Sequence, residues 1–295
     1  MKKLLQWTLF LDILGYGEEQ KNIDNQKEAD KFIEFMKNNK LIIELQESVD
    51  KDTYQNQNIN IYDYYDFKSV FISDSLIITA IPTDKLFNEK EYYNFSTFII
   101  MELTFKLLML IEFVLKEKNL FFRGGISSKF TQVDIKNSLA VGKGLIEAYN
   151  IESKLADVPR ILLSKEISND KKIMSYFDKH SKEYGKEFTI FSKDTHIDDY
   201  FYLDYLGFIL AFLNKSENTR LSNQNFDEKI HEIETIKSTT INTLKNLQNV
   251  IQLNLKKHSK NQSVLKKYIW LREYLNSSIS KYSYLKYIQE YKITE

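Results

Sequence analysis

The stretch from Leu9 to Gly17, L-F-L-D-I-L-G-Y-G, decides the fold, and it is echoed at Phe71 to Ile77, F-I-S-D-S-L-I. Each is an apolar, β-prone run with one aspartate where a central strand gives way to a turn. A carboxylate inside so apolar a run is costly unless it is paired, hydrogen-bonded or set against a cation. Strands that end side by side would bring Asp12 and Asp74 to one sheet edge. Two carboxylates there have the oxygen chemistry that Mg²⁺ or Mn²⁺ prefers.

Working outward, 295 residues that are 43% apolar are enough for a sizeable core, as one large domain or two small ones. Basic and acidic residues balance at 41 each, so nothing demands nucleic acid or an anionic membrane as a partner, and neither is expected. The absence of cysteine excludes disulfides, thiolate zinc sites and a cysteine nucleophile. Met1-Lys-Lys-Leu-Leu opens like a secretory leader, but Gln6 and Asp12 interrupt the apolar run and no small-residue cleavage site follows. The expectation is the first strand of a cytoplasmic protein. With two prolines and eight glycines in the chain, long elements, mostly helices, are predicted.

In order, a polar turn spans Glu18 to Asn25, and Phe32, Ile33, Phe35 and Met36 share one side of a helix predicted over Lys27–Met36. An apolar patch follows at Leu41–Leu45, then an Asn/Gln-rich surface loop at Asp50–Asn60. Lys68–Ile81 reads as a hairpin with Asp74 at its tip. Phe95–Lys118 is long and apolar enough for a membrane span, but Glu102, Lys106 and Glu112 make a buried helix the better reading. Leu120–Ser127, L-F-F-R-G-G-I-S, is a strand whose glycines permit close backbone approach. Leu139–Gly144 closes a loop, Leu145–Leu155 is a short helix and Pro159–Ser164 another strand. Beyond about Lys165 the texture becomes helical: an apolar block at Phe201–Leu213, helical spacing from Ile230 to Leu255, and a tyrosine-rich final helix over Tyr268–Tyr291. His180, His196, His231 and His258 lie scattered in polar surroundings, which argues against metal binding by them.

This order of a strand with Asp, helices, a hairpin with Asp, a long helix and R-G-G-I-S resembles the catalytic domain of class III nucleotidyl cyclases over roughly residues 5 to 168. F-L-D-I-L-G, F-R-G-G-I-S, the run from Ala148 through P-R-I-L-L-S, and K-Y-I-W-L-R-E-Y-L-N look like the bacterial pyrimidine nucleotide cyclases of the Pycsar antiphage system. The resemblance implies an α+β fold. Its ferredoxin-like core is a mostly antiparallel sheet with covering helices at 1–168, and a mainly helical region at 169–295 is packed on it. It implies that Asp12 and Asp74 are metal carboxylates for two divalent cations, Mn²⁺ or Mg²⁺, with the main-chain carbonyl of Ile13 a further ligand. It gives the phosphates to Leu14, Gly15 and Tyr16 backbone N–H groups and to Arg123. The implied reaction converts UTP or CTP to a 3′,5′-cyclic monophosphate, cUMP or cCMP, and pyrophosphate. The implied partners are a second copy of the chain and a downstream effector that senses the product during phage infection.

The departures carry information too. Ile146 and Asn150 fall where purine cyclases hold the asparagine and arginine that stabilise the transition state, and Val70 and Leu139 fall where they read the purine. Pyrimidine use is therefore favoured by elimination, and Arg160 is one candidate for the absent cation. A catalytically silent homologue that binds nucleotide or a partner protein as a regulator is the alternative. A third reading keeps two-metal chemistry but joins nucleotides together.

Overall fold

The computed structural model describes residues 1–54, 60–197, 199–222 and 227–294. The chain forms two compact units, one of residues 1–176 and 193–203, the other of residues 177–192 and 204–295.

The first unit is built on strand β1 (Trp7–Leu14), followed by a short helix α1 (Tyr16–Gln20) and a long one, α2 (Gln26–Tyr54). A hairpin of β2 (Tyr65–Ile72) and β3 (Ser75–Pro82) leads into helix α3 (Glu89–Lys118) and strand β4 (Phe121–Ser127). A small hairpin, β5 (Gln132–Asp134) with β6 (Leu139–Val141), precedes helix α4 (Lys143–Leu155) and strand β7 (Ile161–Leu163). Helix α5 (Lys165–Ser168) and strand β9 (Phe201–Leu203) belong to the first unit as well, while helix α6 (Lys171–Lys182) and strand β8 (Phe191–Lys193) are divided between the two units.

The main sheet runs β2-β3-β1-β4-β7-β9-β8. The pairings β2–β3, β3–β1 and β1–β4 are antiparallel, and β4–β7 is parallel. The order β2-β3-β1-β4, with helices between β1 and β2 and between β3 and β4, is the split, ferredoxin-like arrangement. The fold is mixed α and β with a mostly antiparallel sheet and a helical C-terminal region.

The period of two sorts β1 onto two layers. Trp7, Leu9, Leu11 and Ile13 share one face; the Trp7 indole N–H donates to Ser96 O of α3 at 2.7 Å. Thr8, Phe10 and Asp12 share the other. There Thr8 meets Thr131 at 2.8 Å, and Phe10 packs with Val70, Ile77, Val133 and Ala148 of α4. Because both faces are covered, β1 reads as an almost unbroken apolar run.

Several boundaries differ from the sequence expectation. Lys27–Met36 and Leu41–Leu45 belong to one helix, since no proline or glycine interrupts 26–54 and the buried Asn39 side chain donates its N–H to Phe35 O, 3.0 Å away. The Asn/Gln-rich segment is helical through Tyr54, and its residues 55–59 lie outside the described residues. Helix α3 starts earlier than Phe95 because Asn88 and Glu91 form a capping box. The expected loop at Leu139–Gly144 contains strand β6, too short at three residues for alternation to reveal.

The second unit holds helices α7 (Tyr205–Ser222), α8 (Asp227–Lys257) and α9 (Gln262–Lys281), with a 3₁₀ segment at Lys286–Tyr291. The expected single helix over Tyr268–Tyr291 is thus split: α9 begins at the Asn261 cap and ends before Tyr282, which is buried. Fully buried Asp204 ties this unit together, accepting from Gly207 N (2.9 Å), Tyr274 OH (2.8 Å), Ser192 Oγ (3.0 Å) and Lys281 Nζ (2.8 Å). No helix among the described residues is long and apolar enough to cross a membrane.

Candidate active site

Asp12 lies opposite Ser75 of β3 on one side and Arg123 of β4 on the other. Residues directly opposite in an antiparallel pair point to the same face. Arg123 therefore reaches Asp12, its Nε donating to Asp12 Oδ2 at 2.9 Å. Asp74 occupies the two-residue turn between Ile72 and Ser75, where Ser73 takes a left-handed φ of 58°. The Asp74 carbonyl accepts from Ile13 N at 3.1 Å, which fastens the hairpin tip to the end of β1. This bond extends the β1–β3 ladder, which together with it brings two carboxylates far apart in sequence next to each other. Burial raises the Asp12 carboxyl above its ordinary value; the Arg123 hydrogen bond and charge act against this, and the charge and hydrogen bonding of Asp74 add to it.

A third carboxylate, Glu152 of α4, joins them. Helix α4 lies directly on β4, since a Cβ at Gly125 would run into the Ala148 carbonyl and come within 2.8 Å of Ile151 Cβ. One turn on from Ala148, Glu152 is delivered to Arg123, whose Nε is 2.7 Å from Glu152 Oε1. The single Nε–H is committed to Asp12, so Glu152 Oε1 is buried without a hydrogen bond. Burial pushes the Glu152 carboxyl up to about 7; Arg123 opposes this, and Asp12 and Asp74 add to it. Sequence reasoning passed over this residue. The available signal was a glutamate one position after the buried Ile151, on the same turn of α4 as the buried face of Ala148 and Ile151.

The other expected site residues sit as follows. Ile13 is buried between the neighbouring strands. Leu14, Gly15 and Tyr16 make the turn from β1 into α1, with Gly15 at φ 97°, a conformation few side chains tolerate. Ile146 is 61% exposed on the outer face of α4 and, with Asn150, lines a groove of about 650 Å³ that also carries Lys129, Lys143 and Lys154. Arg160 does not supply a cation to this site. It is 2% exposed, with Nη1 2.7 Å from Asp194 and Nη2 2.9 Å from Asp157 and 3.0 Å from Leu155 O. Its role is to clamp the entry to β7.

No three or more His, Asp or Glu side chains among the described residues close a ready-made metal cage. The pair that does converge, the carboxylates of Asp12 and Asp74, fits a hard divalent cation that keeps several waters, as Mg²⁺ does. Burial of Asp12, with the smaller effect of neighbouring Asp74 added, outweighs the Arg123 guanidinium, and that is the local demand for such a charge.

Neither a family model nor a curated protein matches this chain. Among solved structures, the adenylyl cyclase CyaB from P. aeruginosa is similar at 12% identity, covering 59% of this chain and 81% of that one, with a TM-score of 0.34. A class III adenylyl cyclase-like ATP-binding protein from Pseudomonas aeruginosa is similar at 14% identity, covering 62% of this chain and 37% of that one, with a TM-score of 0.30. Likeness this distant assigns neither family nor activity to the chain.

Proposed function

We propose that the protein is a metal-dependent nucleotidyl cyclase that converts a pyrimidine nucleoside triphosphate, UTP or CTP, to its 3′,5′-cyclic monophosphate with loss of pyrophosphate. The observation that carries this reading is the Ile13 N to Asp74 O bond, which holds Asp12 and Asp74 side by side at the sheet edge. In this reading Asp12, Asp74 and the Ile13 carbonyl hold the cations. Divalent cations held there would supply the charge that acidifies the ribose 3′-hydroxyl and neutralises the departing pyrophosphate. Arg123 orients Asp12 and partly balances its charge, and Glu152 holds Arg123 from the other side. Backbone N–H groups of Leu14, Gly15 and Tyr16 receive phosphate oxygens. The 3′-oxygen forms its bond to the α-phosphorus as the bond from that phosphorus to the β-phosphate oxygen breaks.

A homodimer belongs to the same reading. Exposed Leu139, Val141, Ile146 and Tyr149 give the β6–α4 side of the first unit an apolar face suited to a second copy. The sequence resemblance to Pycsar cyclases supports a role as signal generator in antiphage defence, with the product as the link to an effector.

One observation favours a second reading, a nucleotide-binding regulator without turnover. Asp12 is already engaged by Arg123, and neither Ile146 nor Asn150 offers the groups that purine cyclases use there. The test is incubation with each of the four triphosphates and Mn²⁺, with products identified by mass. The cyclase reading expects a cyclic pyrimidine monophosphate, abolished by Asp12→Asn and by Asp74→Asn. Binding without any product would leave the regulator.

A further inference from the structure

We infer that Glu152 is a positioning residue of the acidic site: it takes over the Arg123 guanidinium when Asp12 turns to a divalent cation. This rests on the functional reading above, because it makes Asp12 a cation ligand. Arg123 Nε stands between two carboxylates, 2.9 Å from Asp12 Oδ2 and 2.7 Å from Glu152 Oε1. The Nε carries one hydrogen and directs it at Asp12, which leaves Glu152 Oε1 buried with no hydrogen bond. A buried carboxylate oxygen in that state is costly, and among the described residues no other donor meets it.

A single exchange ends that cost. Both acceptor oxygens already lie within hydrogen-bonding distance of Nε, so the N–H passes from one to the other by a turn of the guanidinium, with no shift of strand or helix. Arg123 has the freedom for it, its side chain being 27% exposed, whereas that of Glu152 is 4% exposed. The backbone that carries Glu152 is fixed, because α4 is seated on β4 at Gly125, where even a Cβ would meet the Ala148 carbonyl. Asp12, released by Arg123, regains the lone pairs that a hard cation requires. A guanidinium left beside that cation without a counter-charge would oppose binding, and Glu152 supplies the counter-charge. Glu152 is not itself a ligand in this arrangement, since no three His, Asp or Glu side chains among the described residues are grouped to hold a metal. It acts through Arg123, as an outer partner that sets the orientation and basicity of a ligand.

The test reads the arginine itself. The chain holds four arginines, so labelling them with ¹⁵N gives few Nε–H signals in the NMR spectrum, and that of Arg123 is identified by its loss in Arg123→Lys. Mg²⁺ is titrated into the full chain without nucleotide at pH 8, above the value of about 7 to which the Glu152 carboxyl is raised. Mn²⁺ affinity is measured by electron paramagnetic resonance for wild type, Glu152→Gln and Glu152→Asp, and thermal melts in EDTA verify folding. Expected are a shift of the Arg123 signal as Mg²⁺ saturates the wild type, no such shift in either Glu152 variant, and a loss of about tenfold or more in Mn²⁺ affinity in both. Glu152→Asp keeps the charge and withdraws the oxygens by one methylene, so its loss separates transfer of the hydrogen bond from charge alone. An unmoved Arg123 signal in cation-loaded wild type, or wild-type affinity in either variant, overturns the inference and leaves the cyclase reading to its own turnover assay. Absence of cation binding by the wild type overturns both. Transfer without turnover of any triphosphate upholds the inference and removes the cyclase reading.

Discussion

Glu152→Gln tests the electrostatics on which the site is built. The wild-type carboxyl is lifted from 4.5 to about 7, mainly by burial, so in the folded state it holds its proton over a range where the unfolded chain has released it. The folded state binds more protons between those values, and stability therefore falls as pH rises through that window. The full effect is about 3 kcal/mol, reached above pH 7 and absent below pH 4.5. The Glu152 side chain is only 4% exposed, so solvent screening takes little from this figure. Glutamine preserves the shape and cannot ionise. Urea unfolding in EDTA of wild type and Glu152→Gln at pH 4.5, 6 and 8 should show the variant gaining on the wild type as pH rises, by up to about 3 kcal/mol. A stability difference that stays flat across this range would refute the placement of Glu152 as a strained acid behind Arg123.

Other consequences are as specific. Gly125→Ala drives a Cβ into the α4 backbone, which cannot rotate away, and is expected to lower stability by about 1–3 kcal/mol in urea unfolding. Arg160→Met leaves Asp194, whose side chain is 0% exposed, without its cation, and should cost about 3 kcal/mol. That is the low end for a buried pair, because Asp194 also accepts from the backbone of His196 and Ile197; the urea midpoint reads the loss. Asn88→Ala removes the capping box of α3 and should destabilise by about 1 kcal/mol without altering nucleotide affinity, checked by thermal melting and calorimetry.

The strand assignments that matter were legible because they depend on local pattern. L-F-L-D-I-L can only be a strand covered on both faces, and F-I-S-D-S-L-I places an aspartate in a two-residue turn. The helices were legible in kind but not in length. The helix predicted over Lys27–Met36 runs on through Leu41–Leu45, the buried Asn39 side-chain N–H donating to Phe35 O on the way. Strand β6 escaped because three residues are too few to show a period.

The sequence by itself determined that Asp12 lies near the end of a strand and Asp74 in a turn, since alternation and turn chemistry are set by near neighbours. Only the tertiary structure decided that Arg123 and Glu152 join them. Arg123 arrives through the antiparallel register of β1 on β4, and Glu152 through a helix lying on Gly125. Strand register and helix docking are fixed by packing between segments remote in the chain, and no local window of residues contains that energy.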